Sequence, residues 1–577
     1  MMQLETPKIT YFELLEKLRN NPDIRSRWKT EIMSAVRQYA KRFEPAGMGT
    51  VIVPAEISAI LAKATPAMAR LRESSFSNMI SRLRVALRLC GIIVQPGRHT
   101  MIMAEPWATL FKPISNHTQR SRLSRFFYTA TRHGWKPEEI TAEHLWQFHQ
   151  ELSEKAIIKH PDRVTRETAK CWNNLADQNP GLPHVDFALP KKREPYTFGW
   201  DRYPETLGRE IRELMHKLGD PDMFREDQSP PLRQTTLRLR EFQLRQFAAA
   251  VVHRGRSPSD LIGLRELCSL DNFKEGLRFF YDRAGGKVTY QVLGIAETIY
   301  ATAKHHPQTD LVEFEEMTKR INGLRSNRRK SGQSGLTEKN HRRLAQFDAP
   351  RNRDGILLLP QKLWRTAAQS RSSGHFSGER AAAAMMTAVS IELLLMCPMR
   401  VSNLASLDLK IHVRRTPDRG GVTTHIYIPR HETKNGVEIN FELPASSARM
   451  LEEYIEYFRP GFPGAKDSSL LFPGRNGSRR RSSQFWKMIT EAGRQYLGVE
   501  INPHLFRHLA AKLYLDEHPG GYEVVRRTLG HNSLDTTSKF YAGQEAGRSI
   551  RHYDRTILKL RDEASGRPQS AGPRRRK

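Results

Sequence analysis

The sequence predicts a mainly α-helical protein of several domains, with one small β-sheet in the C-terminal third. Three observations support this fold class. A chain of 577 residues is too long for a single hydrophobic core. Three stretches before residue 322 carry apolar residues at helical spacing. On either side of Asn435-Gly436, apolar and polar residues alternate, which is typical of paired strands and predicts an α+β domain there.

Two of the helical stretches end with the same pattern of a glycine followed by a proline. SRFFYTATRHGWKPEEI and RQFAAAVVHRGRSPSDL both fit the spacing Phe-x7-Gly-x2-Pro, at residues 126–137 and 247–258. This pattern predicts an amphipathic helix, a glycine that caps it, and a proline that opens the next helix. An earlier stretch that ends at Gly91 has the helix and the glycine without the proline. We therefore predict a repeat of two to three helical units.

The composition changes again further along the chain. Residues 322–355 are polar and basic with little apolar periodicity, which predicts a linker with at most one short helix. A long apolar helix, a β-rich stretch and further helices follow, and the chain ends in the basic tail GRPQSAGPRRRK, which we expect to be disordered. The expected divisions are helical domains at 1–105, 106–200 and 201–321, a basic linker at 322–355, an α+β domain at 356–562 and a tail at 563–577.

The charge of the chain indicates its partner. Lysine and arginine exceed aspartate and glutamate enough to give a formal net charge of +31. An excess of this size favours a polyanionic partner. Acidic membranes would attract the same charge, but no basic amphipathic helix stands apart as an anchor, and no run of eighteen apolar residues occurs. DNA or RNA is therefore expected, and a membrane is not.

Several other classes of protein are disfavoured. The first residues, MMQLETPKITYFELLEKLRNN, lack the features of a signal peptide, so we expect a cytoplasmic location. The four cysteines form no CxxC pair, which argues against a zinc ribbon or a disulfide framework. The sequence has no G-x-x-x-x-G-K-[ST] phosphate loop and no spaced carboxylate set for two magnesium ions. No cofactor and no metal are expected.

The segment LLLMCPMRVSNLASLDL contains the first candidate site residue. Pro398 ends a buried helix, and Arg400 begins a short one whose Leu404 and Leu407 face inward. An arginine fixed at the end of a buried helix is suited to phosphate recognition by its planar fork. Taken alone, a solvated surface arginine is the commoner reading.

The segment THIYIPRHETKNGVEINFELP predicts a β-hairpin. Its alternating apolar residues are Ile426 and Ile428 before the turn, and Val437, Ile439, Phe441 and Leu443 after it. Asn435-Gly436 supplies residues that tolerate positive φ, which predicts a tight turn. Lys434 precedes this turn, where a long amine can reach a neighbouring site. Most lysines at hairpin tips only keep strand edges soluble.

The segment INPHLFRHLAAKLYLDEH predicts a helix that begins at Pro503. Its expected inner face carries Leu505, Leu509 and Leu513. His504 and Arg507 are three residues apart and therefore neighbours on one face. The same H-x-x-R spacing follows six of the 21 histidines, so the spacing alone identifies no site. His504 and His508 have the spacing of zinc ligands, but no glutamate lies between them and no third ligand is evident, so we reject a metal site.

The segment YEVVRRTLGHNSLDTTSKFYAG supplies the last candidates. A helix is expected to end at Gly530, with His531 directly after it. A short helix opened by Asp535 then carries Tyr541. Most tyrosines are half-buried aromatic residues with a structural role, so Tyr541 alone does not identify an active site.

In this order and spacing, the candidates resemble the catalytic signature of the tyrosine recombinase (phage integrase) family. The matched residues are Arg400, Lys434, His504, Arg507, His531 and Tyr541. The most specific part is HLFRH…LGHNSLDTTSKFY, and the resemblance covers about residues 356–560. Asn403 stands where some members carry a short acidic side chain, so a contact beside the site is expected to differ. The helical domains upstream are similar to core-binding domains, and their length resembles that of the larger integrases of mobile elements.

The resemblance implies cleavage of DNA through a covalent intermediate. Tyr541 would attack a backbone phosphodiester, giving an O-(3′-phospho-DNA)-tyrosine and a free 5′-hydroxyl. A phenol has a pKa near ~10, so a base must take its proton, and the resemblance gives this role to His504. Arg400 and Arg507 would bind the non-bridging oxygens and offset the charge of the transition state.

The remaining roles follow from the same resemblance. Lys434 would protonate the leaving 5′-oxygen, and His531 would donate a hydrogen bond to the phosphate. Because the phosphotyrosine conserves the energy of the phosphodiester, rejoining would need no ATP. The two permanent cations, Arg400 and Arg507, would replace the metal ions that nucleases use. Arg479, Arg480 and Arg481 precede a helix at Ser482, and we expect them to contact DNA, with phosphates more than base edges.

The sequence thus predicts a site-specific recombinase that serves integration, excision or transposition of a mobile element. The expected partners are double-stranded DNA, three further copies of the chain in a homotetramer on DNA, and accessory recombination proteins, in the cytoplasm at a bacterial nucleoid. Three alternatives stay open: a chromosome-resolving recombinase, a catalytically silent DNA-binding regulator on the same fold, and a nicking-closing enzyme like type IB topoisomerases.

Overall fold

The structure, a computed structural model, is mainly α-helical with one small antiparallel sheet, which confirms the predicted fold class. It describes residues 9–94, 100–190, 196–220, 230–306, 310–330, 336–372, 378–418, 421–474 and 476–534, with 537–538, 553–554, 556–561 and 563. The described chain divides into two compact units, residues 190–337 and the remainder.

The helices of the first unit before residue 190 are α1 (Tyr11–Asn20), α2 (Ser26–Phe43), α3 (Pro54–Lys63), α4 (Pro66–Ala69), α5 (Glu73–Leu89), α6 (Trp107–Phe111), α7 (His117–His133), α8 (Ala142–Glu154) and α9 (Pro161–Ala176). They enclose two apolar cores. One core is built from α1 to α5 and includes Tyr11, Tyr39 and Leu83. The other is built around Trp107 and Trp172, which pack with their ring centroids 6.0 Å apart. Residues 9–93 and 103–187 thus build two apolar cores, and Ile157 from the second range packs into the first core.

The second unit contains α10 (Glu205–Gly219), α11 (Gln234–His253), α12 (Leu264–Leu267), α13 (Leu270–Arg283), α14 (Tyr290–His305) and α15 (Leu311–Lys330). Its core is a further apolar cluster, in which Phe247 and Phe273 are fully buried. Gly276 lies so close to the Phe247 ring that an added Cβ would meet ring atoms at 2.5 Å. Any larger residue there would force α11 and α13 apart.

The predicted glycine cap and the proline after it are present in both matching stretches. Gly134 and Gly255 have φ values of +70° and +104°, which favour glycine. Pro137 and Pro258 each open a short 3₁₀ turn, where the sequence predicted the next α-helix. The turn ends in both cases on a residue that is 1% exposed, Ile140 and Leu261. The repeated unit is therefore a helix, a left-handed glycine and a proline turn that buries its last side chain.

The stretch predicted as a linker is more regular than expected. Residues 322–330 continue α15, and residues 338–348 form α16 (Glu338–Ala345) and a 3₁₀ turn before α17 (Pro350–Ser372). The physical reason is burial of widely spaced apolar side chains, since Leu344 and Phe347 are 1% and 2% exposed. This stretch therefore has more helix than the sequence predicted, although the boundary between the two compact units lies within it, at residues 337 and 338.

The C-terminal part of the first unit holds the sheet. Its remaining helices are α18 (Gly378–Met396), α19 (Val401–Ala405), α20 (Ala445–Glu453), α21 (Ser482–Leu497), α22 (Pro503–Glu517) and α23 (Tyr522–Leu529), and its strands are β1 (Val413–Asp418), β2 (Gly421–Ile428) and β3 (Ile439–Glu442). The strand order is β1-β2-β3, all antiparallel. Ile428 pairs with Ile439 and Ile426 with Phe441, so the predicted hairpin pairing is confirmed.

Two features of the sheet differ from the prediction. Strand β1 was not anticipated, because it carries Pro417 and two arginines in place of an apolar alternation. Those arginines are held across the sheet surface: Arg414 stacks 3.5 Å from the Tyr427 ring centroid, and Arg415 donates to Glu452 at 2.8 Å. The connection between β2 and β3 spans residues 429–438, where a two-residue turn was predicted. Polar contacts to distant segments, described below, hold this longer loop open.

Burial in the described residues agrees with several simpler expectations. Cys171, Cys268 and Cys397 are buried free thiols, and Cys90 is partly buried. In the parts of the chain that the structure describes, no helix has the length and apolar character needed to cross a bilayer.

A buried carboxyl lies in the middle of α18. Glu392 is 2% exposed and accepts a hydrogen bond from the Ser447 hydroxyl at 2.5 Å. Its second oxygen, Oε2, has no hydrogen-bond partner among the residues that the structure describes. Burial raises the pKa of Glu392 above its usual value, with the Ser447 bond opposing the change. A protonated carboxyl suits this position better than a carboxylate.

We predict that Glu392→Gln stabilises the protein at alkaline pH and has little effect near pH 4. Because the folded pKa of Glu392 is raised, the stability that its protonated form provides is present below the unfolded pKa and lost as pH rises. Glutamine keeps an acceptor for Ser447 without the ionisation, so the gain should be on the order of 1 kcal/mol at pH 8. Thermal unfolding across this pH range measures it; a gain independent of pH would contradict the mechanism. Glu379→Gln, at an exposed position of the same helix, is the control.

Candidate active site

Arg400 is held at the junction between α18 and α19. It is the N-cap residue of α19, directly after the buried Cys397 and Met399. Its side chain is half-buried, and its Nη2 donates to Asn435 Oδ1 at 3.0 Å. Burial lowers the pKa of Arg400 from its ordinary value, although a guanidinium stays charged. The prediction that Arg400 begins a short helix with Leu404 and Leu407 inside is confirmed, since both leucines are buried.

Arg507 fastens three segments together. It lies on α22, which begins at Pro503 after the Asn502 cap, and it is 5% exposed. Its Nη1 donates to the carbonyl of Pro398 at 2.6 Å, and its Nη2 donates to the carbonyl of Leu529. The guanidinium therefore joins α22 to the turn that presents Arg400 and to the end of α23.

Asn435 completes this framework from the loop between β2 and β3. Its Nδ2 donates to the carbonyl of Gly530 at 2.8 Å, while its Oδ1 accepts from Arg400. The last carbonyls of a helix lack partners within that helix. In α23, the Arg507 and Asn435 side chains satisfy two of these carbonyls. Lys434 is exposed and precedes Asn435, so the same contact carries its backbone to the site.

Three histidines accompany the arginines. His504 is exposed on α22, and its ring meets the ring of buried His508 edge to face at 5.1 Å. His531 follows the left-handed Gly530 at the end of α23, as predicted, and its Nδ1 lies 3.0 Å from the hydroxyl of Thr537. Thr537 is fully buried, which fixes one side of the His531 ring.

The surroundings keep these histidines neutral. Burial, followed by the charges of Arg507 and Arg400, lowers the pKa of His531 to about 4. Burial, followed by His504, Arg507 and His531, lowers the pKa of His508 to about 3. Although His504 is exposed as a residue, partial desolvation of its ring and the same two arginines lower its pKa below 6.5. Every charge that shifts the pKa of these rings is cationic.

This arrangement has a definite chemical capacity. The guanidinium groups of half-buried Arg400 and buried Arg507 donate hydrogen bonds to an amide oxygen and to two backbone carbonyls. In these bonds no carboxylate balances their positive charge. Such a site attracts an anion with oxygen atoms that match a planar donor. The neutral imidazole of His504 beside it is able to accept a proton at neutral pH.

Asn403 makes a contact that an acidic residue would not make. It is 5% exposed, and its Nδ2 donates to the carbonyl of Glu432 at 3.4 Å, in the loop that carries Lys434. An ionised carboxylate has no proton to donate to a carbonyl. Asn403, in place of the acidic residue of some family members, therefore joins α19 directly to the loop that carries Lys434 by a hydrogen bond.

The three consecutive arginines differ in their surroundings. Arg479 is exposed and donates to the carbonyl of Ser402 at 2.6 Å. Arg480 is half-buried, donates to the carbonyl of Pro473 at 2.8 Å and lies 4.9 Å from the Phe462 ring centroid. Arg481 is exposed at the N-cap of α21. Arg480 therefore has a packing role, while Arg479 and Arg481 present their side chains to solvent.

The predicted residues thus reach the site to different degrees. Arg400, His504, Arg507 and His531 lie together, and Lys434 lies on a loop bound to Arg400. Tyr541 lies outside the described residues. Sequence reasoning missed Asn435, which it interpreted only as a turn residue, and His508, which it considered only as a metal ligand. Among the described residues, no group of three or more histidine, cysteine or acidic side chains is placed to hold a metal ion.

We predict that Arg400→Gln raises the pKa of His531 from about 4 towards 6.5. Glutamine retains a hydrogen-bond donor for Asn435 but removes a positive charge that opposes protonation of the ring. NMR titration of the histidine side chains measures the change. Arg479→Gln serves as the control, because Arg479 is not among the charges that shift His531. A His531 pKa unchanged by Arg400→Gln would contradict the electrostatic coupling.

Comparisons with known proteins identify the segment that holds this site. Residues 371–547 match the model of the phage integrase family. Tyrosine recombinase XerD of Proteus mirabilis is 30% identical over 151 residues, which are 26% of this chain and 44% of that protein. Tyrosine recombinase XerC of Herpetosiphon aurantiacus is 29% identical over 182 residues, covering 31% of this chain and 52% of that protein. The chain thus spans about half the length of these curated relatives.

Two solved structures of recombinases align with parts of this chain. A XerH site-specific recombinase bound to a palindromic difH substrate, in a post-cleavage complex, aligns with a TM-score of 0.36 and 16% identity over 61% of this chain and 98% of that one. A lambda integrase dimer bound to a COC′ core site aligns with a TM-score of 0.34 and 15% identity over 58% of this chain and 94% of that one. Alignments at these TM-scores do not establish a shared whole-chain topology. The match over residues 371–547, which include the converging arginines and histidines, shows that this chain carries a tyrosine recombinase domain of the phage integrase family.

Proposed function

We propose that this protein cleaves and rejoins DNA strands at specific sites through a 3′-phosphotyrosine formed by Tyr541. The observation that carries the proposal is the convergence of Arg400, Arg507, His504 and His531 in one cationic site fixed by hydrogen bonds. The family match over the same segment supports it.

The chemistry assigns one task to each group. The Tyr541 phenol oxygen attacks phosphorus and loses its proton to His504, whose lowered pKa keeps the imidazole neutral before attack. The bond from phosphorus to the 5′-oxygen breaks, and Lys434 gives a proton to that oxygen. The 3′-phosphate stays on the tyrosine until a 5′-hydroxyl attacks it in the reverse sense, which regenerates the phenol.

The arginines supply electrostatic stabilisation. Arg400 and Arg507 face the non-bridging oxygens and offset the negative charge that grows in the transition state. Because their side chains are already fixed by Asn435 and by two carbonyls, little reorganisation is needed when the phosphate arrives. A bound phosphate would also raise the pKa of His531, which favours its proposed role as a hydrogen-bond donor.

We propose that most of the chain contacts DNA. The net charge of +31 supports an affinity dominated by phosphate contacts. We propose that Arg479 and Arg481 take part in these contacts, since both are exposed, whereas Arg480 supports the fold. We further propose that the helical domains before the catalytic segment bind DNA beside it. Recombination of two duplexes requires four active sites, so a homotetramer on DNA, assisted by accessory recombination proteins, is part of the proposal.

The biological role is proposed in two forms. The long helical region before the catalytic segment favours a recombinase of a mobile element, acting in integration, excision or transposition in the bacterial cytoplasm. A chromosome-resolving role is the second candidate, because the curated relatives that match are named XerD and XerC. A silent regulator has no chemical reason to keep neutral histidines beside fixed arginines. A nicking-closing enzyme would act without site preference.

We predict that Tyr541→Phe abolishes covalent attachment to DNA and leaves DNA affinity nearly unchanged. Phenylalanine keeps the ring but has no oxygen to attack phosphorus. Denaturing capture from cells, followed by sequencing of the attached ends, measures both attachment and site preference. Adducts at a few sites with the unmodified protein support a recombinase, and scattered adducts support a nicking-closing enzyme. Adducts that persist in Tyr541→Phe would show that the nucleophile is another residue.

We predict that Lys434→Ala slows cleavage and that a 5′-bridging phosphorothiolate substrate restores the rate. Sulfur leaves without needing a proton, so the general acid becomes dispensable for that substrate. Single-turnover cleavage of both substrates measures the rescue.

The neighbouring Asn435→Ala provides a matched control on the same loop. It removes the bonds to Arg400 and Gly530, so its defect lies in transition-state binding and not in the departure of the leaving group. The phosphorothiolate should therefore rescue Lys434→Ala much more than Asn435→Ala. Equal rescue of both variants would contradict the general-acid role of Lys434.

A further inference from the structure

A cavity that does not include any of the candidate active-site residues is lined by two arginines, Arg84 and Arg125. Its volume is about 130 Å³, and it lies within the first unit between α5, α7 and α8. Arg84 of α5 and Arg125 of α7 both line it. Among the described residues, neither guanidinium has a hydrogen bond or an ion pair, whereas the neighbouring Arg82 pairs with Glu31 and Arg122 pairs with Glu167.

The charges of the two arginines oppose each other. Burial lowers the pKa of Arg84, and burial together with the charge of Arg84 lowers the pKa of Arg125. One carboxylate, Glu151, also lines the cavity, but it already accepts from Arg132 and from the His133 ring. No carboxylate appears among the charges that shift either cavity arginine. The cavity therefore has an excess of positive charge.

The remaining walls make this charge effective. They include the apolar side chains of Ile93, Phe148, Leu152 and Ile157. An apolar wall lowers the local dielectric, so an anion inside gains more from each guanidinium than it would in water. Liquid water occupies about 30 Å³ per molecule, so the cavity has room for roughly four waters or for one small oxyanion.

The cavity also lies on a seam between the two helical cores. Across this seam, the Ser58 hydroxyl donates to the carbonyl of Ala156 at 3.2 Å and accepts from the backbone N–H of Ile158 at 3.1 Å. The backbone N–H of Val94 donates to the carbonyl of Lys155 at 2.7 Å. Arg84 and Arg125 belong to opposite sides of the seam, so their repulsion acts against these bonds.

We propose that this cavity binds a phosphate-type oxyanion between Arg84 and Arg125, and that the anion strengthens the pairing of the two helical domains. Two guanidinium forks match the oxygens of a tetrahedral phosphate. The phosphate group comes either from a free oxyanion or from a DNA backbone that reaches the seam. This site is separate from the proposed catalytic residues and does not depend on their function.

The first test is thermal unfolding of the full chain in inorganic phosphate and in chloride at equal ionic strength. Phosphate should raise the midpoint by several degrees, because it binds the folded state. Arg84→Gln and Arg125→Gln should each lose most of that shift, while unfolding in chloride at the same or a higher temperature because the repulsion is gone. Arg88→Gln on the same helix, outside the cavity lining, should keep the phosphate response.

The second test distinguishes the two sources of the phosphate. The affinity for a non-specific duplex is measured by fluorescence anisotropy over a range of salt concentrations. If the site takes a DNA phosphate, each glutamine variant should reduce the slope of log K against log salt by ~0.9. If it takes a free oxyanion, the slope should be unchanged and the phosphate-dependent stabilisation alone should be lost.

Two results would overturn the proposal. One is no extra stabilisation by phosphate over chloride, together with an unchanged salt slope in both glutamine variants; the cavity would then be a hydrated gap. The other is a loss of the phosphate response in Arg88→Gln equal to that in Arg84→Gln, which would assign the effect to net charge.

Discussion

The candidate active site depends on hydrogen bonds that Arg507 donates to two distant segments. Arg507 donates to the carbonyl of Pro398, 109 residues earlier in the chain, in the turn before Arg400. It also donates to the carbonyl of Leu529, at the end of α23. With Arg507 in place, Arg400 and His531 are held beside His504, which lies on the same helix as Arg507. Loss of Arg507 would leave these two buried carbonyls without their donor, at a typical cost of about 1–3 kcal/mol for each. Arg507 therefore contributes both to folding and to the placement of the site.

The same geometry explains why the site is cationic and open to an anion. Carbonyl and amide oxygens orient Arg507 and Arg400 without neutralising them, unlike the carboxylates that pair with arginines elsewhere, as Glu452 does with Arg415. Burial, followed by the charges of Arg507 and Arg400, lowers the pKa of His531 and of His504. A carboxylate in place of these oxygens would have stabilised the empty site and competed with a phosphate.

The sequence predicted the parts of the site that depend on local pattern. The ends of α18 and α23, the start of α22 and the pairing of Ile426 and Ile428 with β3 follow from caps, prolines and alternation, and all are present. The ten-residue loop, 429–438, was beyond such reasoning. Asn435-Gly436 is a strong turn signal, and Gly436 does have a φ of +67°. The loop nevertheless stays open, because Asn403 and Asn435 bind partners that only the folded chain brings near.

A similar reason explains why the sequence allowed one short helix in the linker stretch without placing α16, and why it missed strand β1. In a polar stretch, Leu344 and Phe347 are too few to produce a periodic signal, yet both are buried, and Asp348 pairs with Lys512 of α22 at 2.7 Å. In β1, the stabilising contacts are those of arginine side chains with Tyr427 and Glu452. Pattern reasoning weighs apolar spacing, whereas these elements depend on pairs that lie far apart in the sequence.

The contact of His531 with Thr537 constrains what the ring can do. A neutral imidazole carries one proton, so the hydroxyl of Thr537 either donates to Nδ1 or accepts from it. If Nδ1 holds the proton, Nε2 has only a lone pair and would repel a phosphate oxygen. Donation from His531 to a phosphate therefore requires the Thr537 hydroxyl to donate to Nδ1, or the ring to become protonated when the anion raises its pKa. Because burial and the two arginines lower the pKa of His531 to about 4, the hydroxyl orientation of buried Thr537 decides whether the neutral ring is ready to donate to a phosphate.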